Sequence, residues 1–302
     1  MARVLYIGGW GRSGSTLLDR LLGQVEGCCS VGEMRDIWLR GVLENRLCGC
    51  GEPFLSCPFW HEVGDRAFGG WDERHARTVH ALRMRYDRPW TVPVLMAPLR
   101  WSSGLERYVD ATGALYRAIA DTSQAEVIVD STKIPSYAYL LRRIEDLEVR
   151  FLHLVRDSRG VVYSWQKSVR RPDATEKQDL MLRYGSVSAS GRYLLYNGTA
   201  GLLRRSAVPY TLVRYEDLVA DPRAYLERIV GFAGLRPGGM GFIDDDTAEL
   251  HPNHTVDGNP MRFAAGPLRI SADEQWRTAM DRSDQRTVSM LTRPLLRRYG
   301  YR

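Results

Sequence analysis

Val4-Leu5-Tyr6-Ile7-Gly8-Gly9-Trp10-Gly11-Arg12-Ser13-Gly14-Ser15-Thr16 is the stretch whose reading decides the fold. Its first half is a short apolar run closed by glycines, which reads as a buried strand. From Ser15 onward, Leu17, Leu18, Leu21 and Leu22 fall on one stripe at helical spacing. A strand, a glycine-rich turn and a helix together form an anion site, because unpaired backbone N–H groups and the positive end of the helix dipole meet there. The spacing nearly matches the nucleotide-phosphate loop G-x-x-x-x-G-K-[ST], with Gly9 and Gly14 in the glycine places and Thr16 in the hydroxyl place. Ser15 stands where that loop has its lysine, and the nearest cation is Arg12. Kinases and nucleotide triphosphatases use the missing lysine on the β- and γ-phosphates. The turn therefore predicts phosphate binding without triphosphate chemistry. A turn that merely joins strand to helix is the plainer alternative, and the coincidence of glycines, hydroxyls and a cation weighs against it.

Working outward, Val127-Ile128-Val129 and Phe151-Leu152-His153-Leu154-Val155 are further apolar runs, each followed by a helical pattern, and Tyr210-Thr211-Leu212-Val213 is a fourth. Strands alternating with helices predict an α/β chain: a P-loop-type three-layer fold with a central, mostly parallel sheet and helices on both faces. The 302 residues are expected to form a single domain, with a cysteine-containing, mostly helical insertion at about 34–125. Residues 175–205 read as one or two helices and 236–270 as a long loop. From Asp273 to Tyr299 the pattern is helical again, interrupted at Pro294.

Hydrophobic residues make up 44% of the chain and charged ones 26%, a globular composition rather than a disordered one. The net charge of +6 is carried by arginine, since lysine occurs only at Lys133, Lys167 and Lys177. Arginine suits forked phosphate contacts. No basic tract is interleaved with aromatics, so nucleic acid is not an expected partner. No apolar run approaches the ~20 residues that cross a bilayer, and Met1-Ala2-Arg3 leads straight into the first strand without a signal-peptide pattern. A cytoplasmic protein with reduced cysteines is expected.

Arg12-Ser13-Gly14-Ser15-Thr16 after a first strand resembles the 5′-phosphosulfate loop of sulfotransferases that use 3′-phosphoadenosine 5′-phosphosulfate (PAPS). The resemblance implies that Arg12, Ser13, Gly14, Ser15 and Thr16 hold the 5′-phosphosulfate of that donor. Arg156, at the end of a strand, and Ser164, eight residues on, resemble the family's pair that grips the 3′-phosphate. Tyr215-Glu216-Asp217 resembles a segment whose tyrosine lies near the adenine. By a similar likeness to bacterial and carbohydrate-type members, Arg262 is expected to close over the 3′-phosphate or the adenine. Val31-Gly32-Glu33-Met34-Arg35 resembles the Gly-Glu-x-x-Arg region of the tyrosylprotein members, with the arginine one residue early. Histidine-base members carry Lys-Thr-His where this chain has Thr132-Lys133-Ile134. The resemblance thus implies Glu33 as base, in a bacterial member nearer the glutamate-base branch. Lys133 and Arg12 would stabilise the leaving group. The acceptor would be a small molecule, sugar or lipid bearing a hydroxyl, and no metal would be required. A P-loop kinase, with the run ending in Asp130 as its magnesium strand, and a non-catalytic nucleotide-binding module are the rival readings.

Cys48-Gly49-Cys50 followed by Cys57 and His61 is a compact, turn-rich knuckle. Zinc ligation by these four, a disulfide from Cys48 or Cys50 to Cys57, and free thiols all remain open. The knuckle is expected to be structural. His153, inside an apolar run, reads as a hydrogen-bonded core histidine. His251 and His254 are alternative candidates for a base.

Overall fold

The computed structural model describes residues 2–96, 102–169 and 180–301. Strand β1 (Ala2–Gly9) lies at the centre of a five-stranded sheet with β2 (Cys28–Gly32), β3 (Val127–Lys133), β4 (Leu147–Val155) and β5 (Tyr210–Arg214), in the order β2-β3-β1-β4-β5. Every pairing in this sheet is parallel. Side chains alternate across a strand, so its two faces seed two cores. Val4, Tyr6, Ile128 and Phe151 pack on one side, beneath the helices Ser103–Ser123 and Pro135–Leu141. Leu5, Ile7, Val127, Val129, Leu152 and Leu154 pack on the other, beneath helix α1 (Ser15–Leu22) and the helix Pro222–Ala233. The apolar runs are continuous because both faces are covered. The α/β, three-layer expectation holds.

Three differences from the sequence reading have physical causes. Strand β2 was not expected: Cys28-Cys29-Ser30 lacks an apolar run, and the strand sits at the sheet edge, pairing with β3 on one side and meeting the chain on the other through an isolated bridge from Gly32 to Val256. The expected loop at 236–270 contains a small antiparallel sheet, β6 (Ile243–Asp244), β7 (Thr247–Leu250) and β8 (Gly266–Arg269). Strands of two to four residues leave no readable alternation. The helix Arg282–Arg298 continues through Pro294. Proline costs a helix the bond to the carbonyl four residues earlier, and here that residue, Met290, is exposed to water. Of the region expected to hold one or two helices, the structure has the helix Ser186–Leu202, while residues 175–179 lie outside the described residues. Between Glu33 and β3, the helices Pro58–Phe68, Glu73–Tyr86, Val92–Met96 and Ser103–Ser123 account for most of the described chain.

Candidate active site

Five parallel strands point the same way, so their C-terminal ends share one edge, where open α/β sheets bind ligands. The residues just beyond those ends are the loop around Arg12 after β1, Glu33 after β2, Lys133 closing β3, Arg156 after β4 and Tyr215 after β5. Together they line a cavity of about 590 Å³, which also takes in Gly14, Ser15, Thr16 and Ser164. Arg12 (φ 70°), Lys133 (φ 71°) and Asp257 (φ 51°) are half of the six described non-glycine residues with positive φ, and all three line this cavity. Backbone strain of this kind is held only where surrounding structure over-determines it.

Gly14 caps α1 at φ 90°, and a Cβ there would lie 2.5 Å from the Tyr215 ring. Glycine is needed twice over, for the left-handed backbone and for the stacked tyrosine. Arg12 lies over the Trp165 ring at 5.1 Å, and its Nη2 approaches Met181 Sδ at 3.0 Å. Ser13 differs from its neighbours: it is 1% exposed, does not line the cavity, and its hydroxyl has no hydrogen-bond partner among the described residues.

The Lys133 ammonium is ion-paired with the Glu33 carboxylate, and both side chains are largely buried. Burial pushes the Glu33 carboxyl above the usual carboxylate range. Asp257 adds to the rise, and Lys133 opposes it. The Glu33 backbone N–H donates to the Val256 carbonyl at 2.8 Å, and a Cβ on Gly258 would lie 3.1 Å from Glu33 Oε1. The 256–258 segment therefore covers this carboxylate. Arg35, two residues on, also lines the cavity, with its guanidinium ion-paired with buried Asp87 at 2.5 Å.

Arg156 is already engaged. Its Nη2 donates to the Asp273 carbonyl at 2.5 Å and lies 3.2 Å from the Asp273 carboxylate, its Nη1 donates to the Arg12 carbonyl at 3.2 Å, and its guanidinium stacks on Tyr215 at 4.6 Å. The Tyr215 hydroxyl donates to the Ser271 carbonyl and accepts from the Asp273 N–H, both at 3.2 Å. Arg262 departs from the sequence expectation. It is 1% exposed, does not line the cavity, and donates to the carbonyls of Leu47 at 2.6 Å and Thr255 at 2.7 Å. Buried carbonyls that no ladder satisfies attract such a donor.

No histidine lines the cavity among the described residues. His153 is fully buried between the Tyr210 hydroxyl at 2.6 Å and Asn197 Oδ1 at 2.9 Å, as expected of a core histidine. His251 is exposed, and its backbone is held from within: its carbonyl accepts from Arg20 and its N–H donates to Gln24 Oε1 at 3.1 Å. His254 lies among the knuckle cysteines, whereas His61, expected there, faces solvent and pairs with Asp65 at 3.2 Å. All five cysteines are unlinked thiols. Asp130, the candidate magnesium ligand of the kinase reading, is fully buried. It accepts from the Tyr116 hydroxyl and, at 2.7 Å, from the Thr132 N–H, so its oxygens are turned away from the cavity.

Sequence reasoning missed several cavity residues: Arg40, Arg192 and Asp257, and the aromatic wall of Trp165, Tyr184 and Tyr196. Each comes from a loop or helix without a motif, and only a count of aromatics between 163 and 196 hinted at the wall. Among the described residues, no helix is long and apolar enough to cross a membrane.

A family model described as "Sulfotransferase family" matches residues 5–237. Carbohydrate sulfotransferase 1 of Homo sapiens is 27% identical over 175 residues, covering 53% of this chain and 41% of that protein. The Rattus norvegicus protein of the same name is 28% identical over 182 residues, with the same coverage. The chain thus spans about two-fifths of the length of these relatives. Among solved structures, the sulfotransferase domain of the Synechococcus PCC 7002 olefin synthase superposes with a TM-score of 0.51 at 19% identity, covering 97% of this chain and 94% of that one. A sulfotransferase from Mycobacterium avium superposes with a TM-score of 0.51 at 12% identity, covering 100% and 78%. At these identities the structural likeness speaks for the fold, and the fold is that of the P-loop-type sulfotransferases.

Proposed function

The chain belongs to the sulfotransferase family, and from that premise we propose that it moves the sulfuryl group of PAPS onto an acceptor hydroxyl. The observation that carries the proposal is the convergence of the Arg12 loop, Glu33, Lys133, Arg156, Ser164 and Tyr215 on one cavity at the C-terminal edge of the sheet. The loop N–H groups at the start of α1 and the Arg12 guanidinium bind the 5′-phosphosulfate. Arg156 and Ser164 take the 3′-phosphate, and the Tyr215 ring faces the adenine.

Glu33 accepts the acceptor's hydroxyl proton as that oxygen bonds to sulfur. The bond from sulfur to the oxygen bridging it to phosphorus breaks, and its electron pair leaves with the phosphate. Lys133 and Arg12 supply positive charge where that negative charge builds. A base held above the ordinary carboxylate range by burial is suited to this step. The carbohydrate relatives and the aromatic wall of Trp165, Tyr184 and Tyr196 support a sugar as the first class of acceptor to test.

The test is calorimetric titration with 3′-phosphoadenosine 5′-phosphate and with ADP, both without magnesium, followed by turnover of PAPS with a panel of sugars. Tight binding of the first nucleotide and weak binding of the second is the expected result. The reverse preference would overturn the donor assignment.

A further inference from the structure

Outside the cavity, Cys48, Cys50, Cys57 and His254 bring four potential ligand atoms within 4.8 Å of one another. Cys50 Sγ and Cys57 Sγ are 3.7 Å apart. His254 Nδ1 lies 3.2 Å from Cys57 Sγ and 3.8 Å from Cys48 Sγ. Tetrahedral zinc, with Zn–S of ~2.3 Å and Zn–N of ~2.0–2.1 Å, sets sulfurs about 3.8 Å apart and sulfur about 3.6 Å from nitrogen. A disulfide would instead need two sulfurs at ~2.05 Å. We propose that Cys48, Cys50, Cys57 and His254 bind a single structural zinc ion, which ties the cysteine knuckle to the 253–256 segment.

The surroundings are built for this. The Gly51 N–H returns to the Cys48 carbonyl at 2.9 Å, closing the turn that sets two sulfurs side by side, and the Gly49 N–H donates to the Thr255 carbonyl at 3.0 Å. A Cβ on Gly49 would lie 2.0 Å from Asn253 Oδ1, so only glycine lets the turn approach so closely. The His254 ring is stacked on Phe59, with centroids 4.9 Å apart and 12° between planes, and its carbonyl accepts from Trp60 Nε1 at 2.9 Å. These contacts hold Nδ1 toward the sulfurs. Arg262 bridges the Leu47 and Thr255 carbonyls from behind, joining the same two segments. Cys48 and Cys57 are buried, where a cation that takes the thiol protons' place offsets the cost of gathering sulfurs. From His254 the chain runs directly to Val256, whose carbonyl holds the Glu33 N–H. The ion thereby steadies one wall of the cavity without entering it.

The experiment is metal analysis of the purified, reduced chain, together with titration by Co²⁺ after chelation. Expected are about one zinc per chain and the intense thiolate-to-cobalt bands of a tetrahedral site. His254→Ala is expected to lower zinc to roughly a tenth or less, while His61→Ala leaves it unchanged. Neither zinc nor cobalt bands on the native chain would overturn the proposal, as would zinc that survives His254→Ala and is lost in His61→Ala. The native-chain measurement stands even where a variant fails to fold.

Discussion

Lys133 and Glu33 are ion-paired across the ends of two neighbouring parallel strands, β3 and β2. Each is set by its own strand end, and the pairing of β2 with β3 brings them together. The ammonium and the carboxylate thus stand side by side in the cavity before any ligand arrives, and the proposed base and leaving-group cation are adjacent.

If Glu33 is the base, Glu33→Gln binds 3′-phosphoadenosine 5′-phosphate as the native chain does and loses ~10²-fold or more in kcat. The charged carboxylate is the working form, so the native rate falls as pH drops through the Glu33 pKa. Burial raises that pKa, and the acid limb therefore lies above the ~4.3 of an ordinary glutamate. A near-native rate in Glu33→Gln, or an acid limb at the ordinary value, would remove Glu33 from the role.

Lys133→Ala is expected to lose ~10²-fold or more in turnover while nucleotide affinity falls far less. Lys133 also lowers the Glu33 pKa, so its removal shifts the acid limb of residual activity to higher pH. A rate profile of the variant that keeps the native limb would show that the pair is not coupled in catalysis.

Arg156→Ala should weaken 3′-phosphorylated nucleotides by about 10- to 100-fold, the cost of a charge-assisted hydrogen bond of ~1.5–3 kcal/mol, and leave ADP nearly unaffected. Asp273→Asn removes the carboxylate 3.2 Å from Arg156 and keeps an acceptor there. It should tighten the same nucleotides severalfold by relieving charge repulsion. Equal effects of either change on both nucleotides would place the 3′-phosphate elsewhere.

Burial lowers the pKa of His153 from 6.5 to about 4. The folded-state value lies below the unfolded one, so this stability is present above pH ~6.5 and is lost as pH falls toward 4. Between pH 7.5 and pH 5 the loss is about 2 kcal/mol, from 1.36 kcal/mol per unit. Urea unfolding at those two pH values should show a smaller loss in His153→Gln by about that amount. Parallel behaviour of the two proteins would mean that His153 does not set the acid response.

Much of the site was legible because its residues stand at the ends of readable strands. Glu33 is the instructive exception. Strand β2, which carries it, left no pattern in Cys28-Cys29-Ser30, and the residue was found through its resemblance to a motif. Arg262 misled although it too was found through a resemblance: the likeness to bacterial and carbohydrate-type members implied a ligand contact, yet its guanidinium is consumed by two buried carbonyls.

By itself the sequence determined the α/β class, the strand–turn–helix that opens the chain, and the placing of Arg12, Lys133, Arg156 and Tyr215 at strand ends. These rest on periodicity and on adjacency along the chain, which are local. Only the tertiary structure decided that His254 rather than His61 joins the cysteines, that Asp273 occupies Arg156, and that Arg262 turns inward. Those outcomes depend on which loops pack together. Loop packing is set by the shape left between elements and by the demand of buried polar groups for partners, and neither is written in the spacing of one segment.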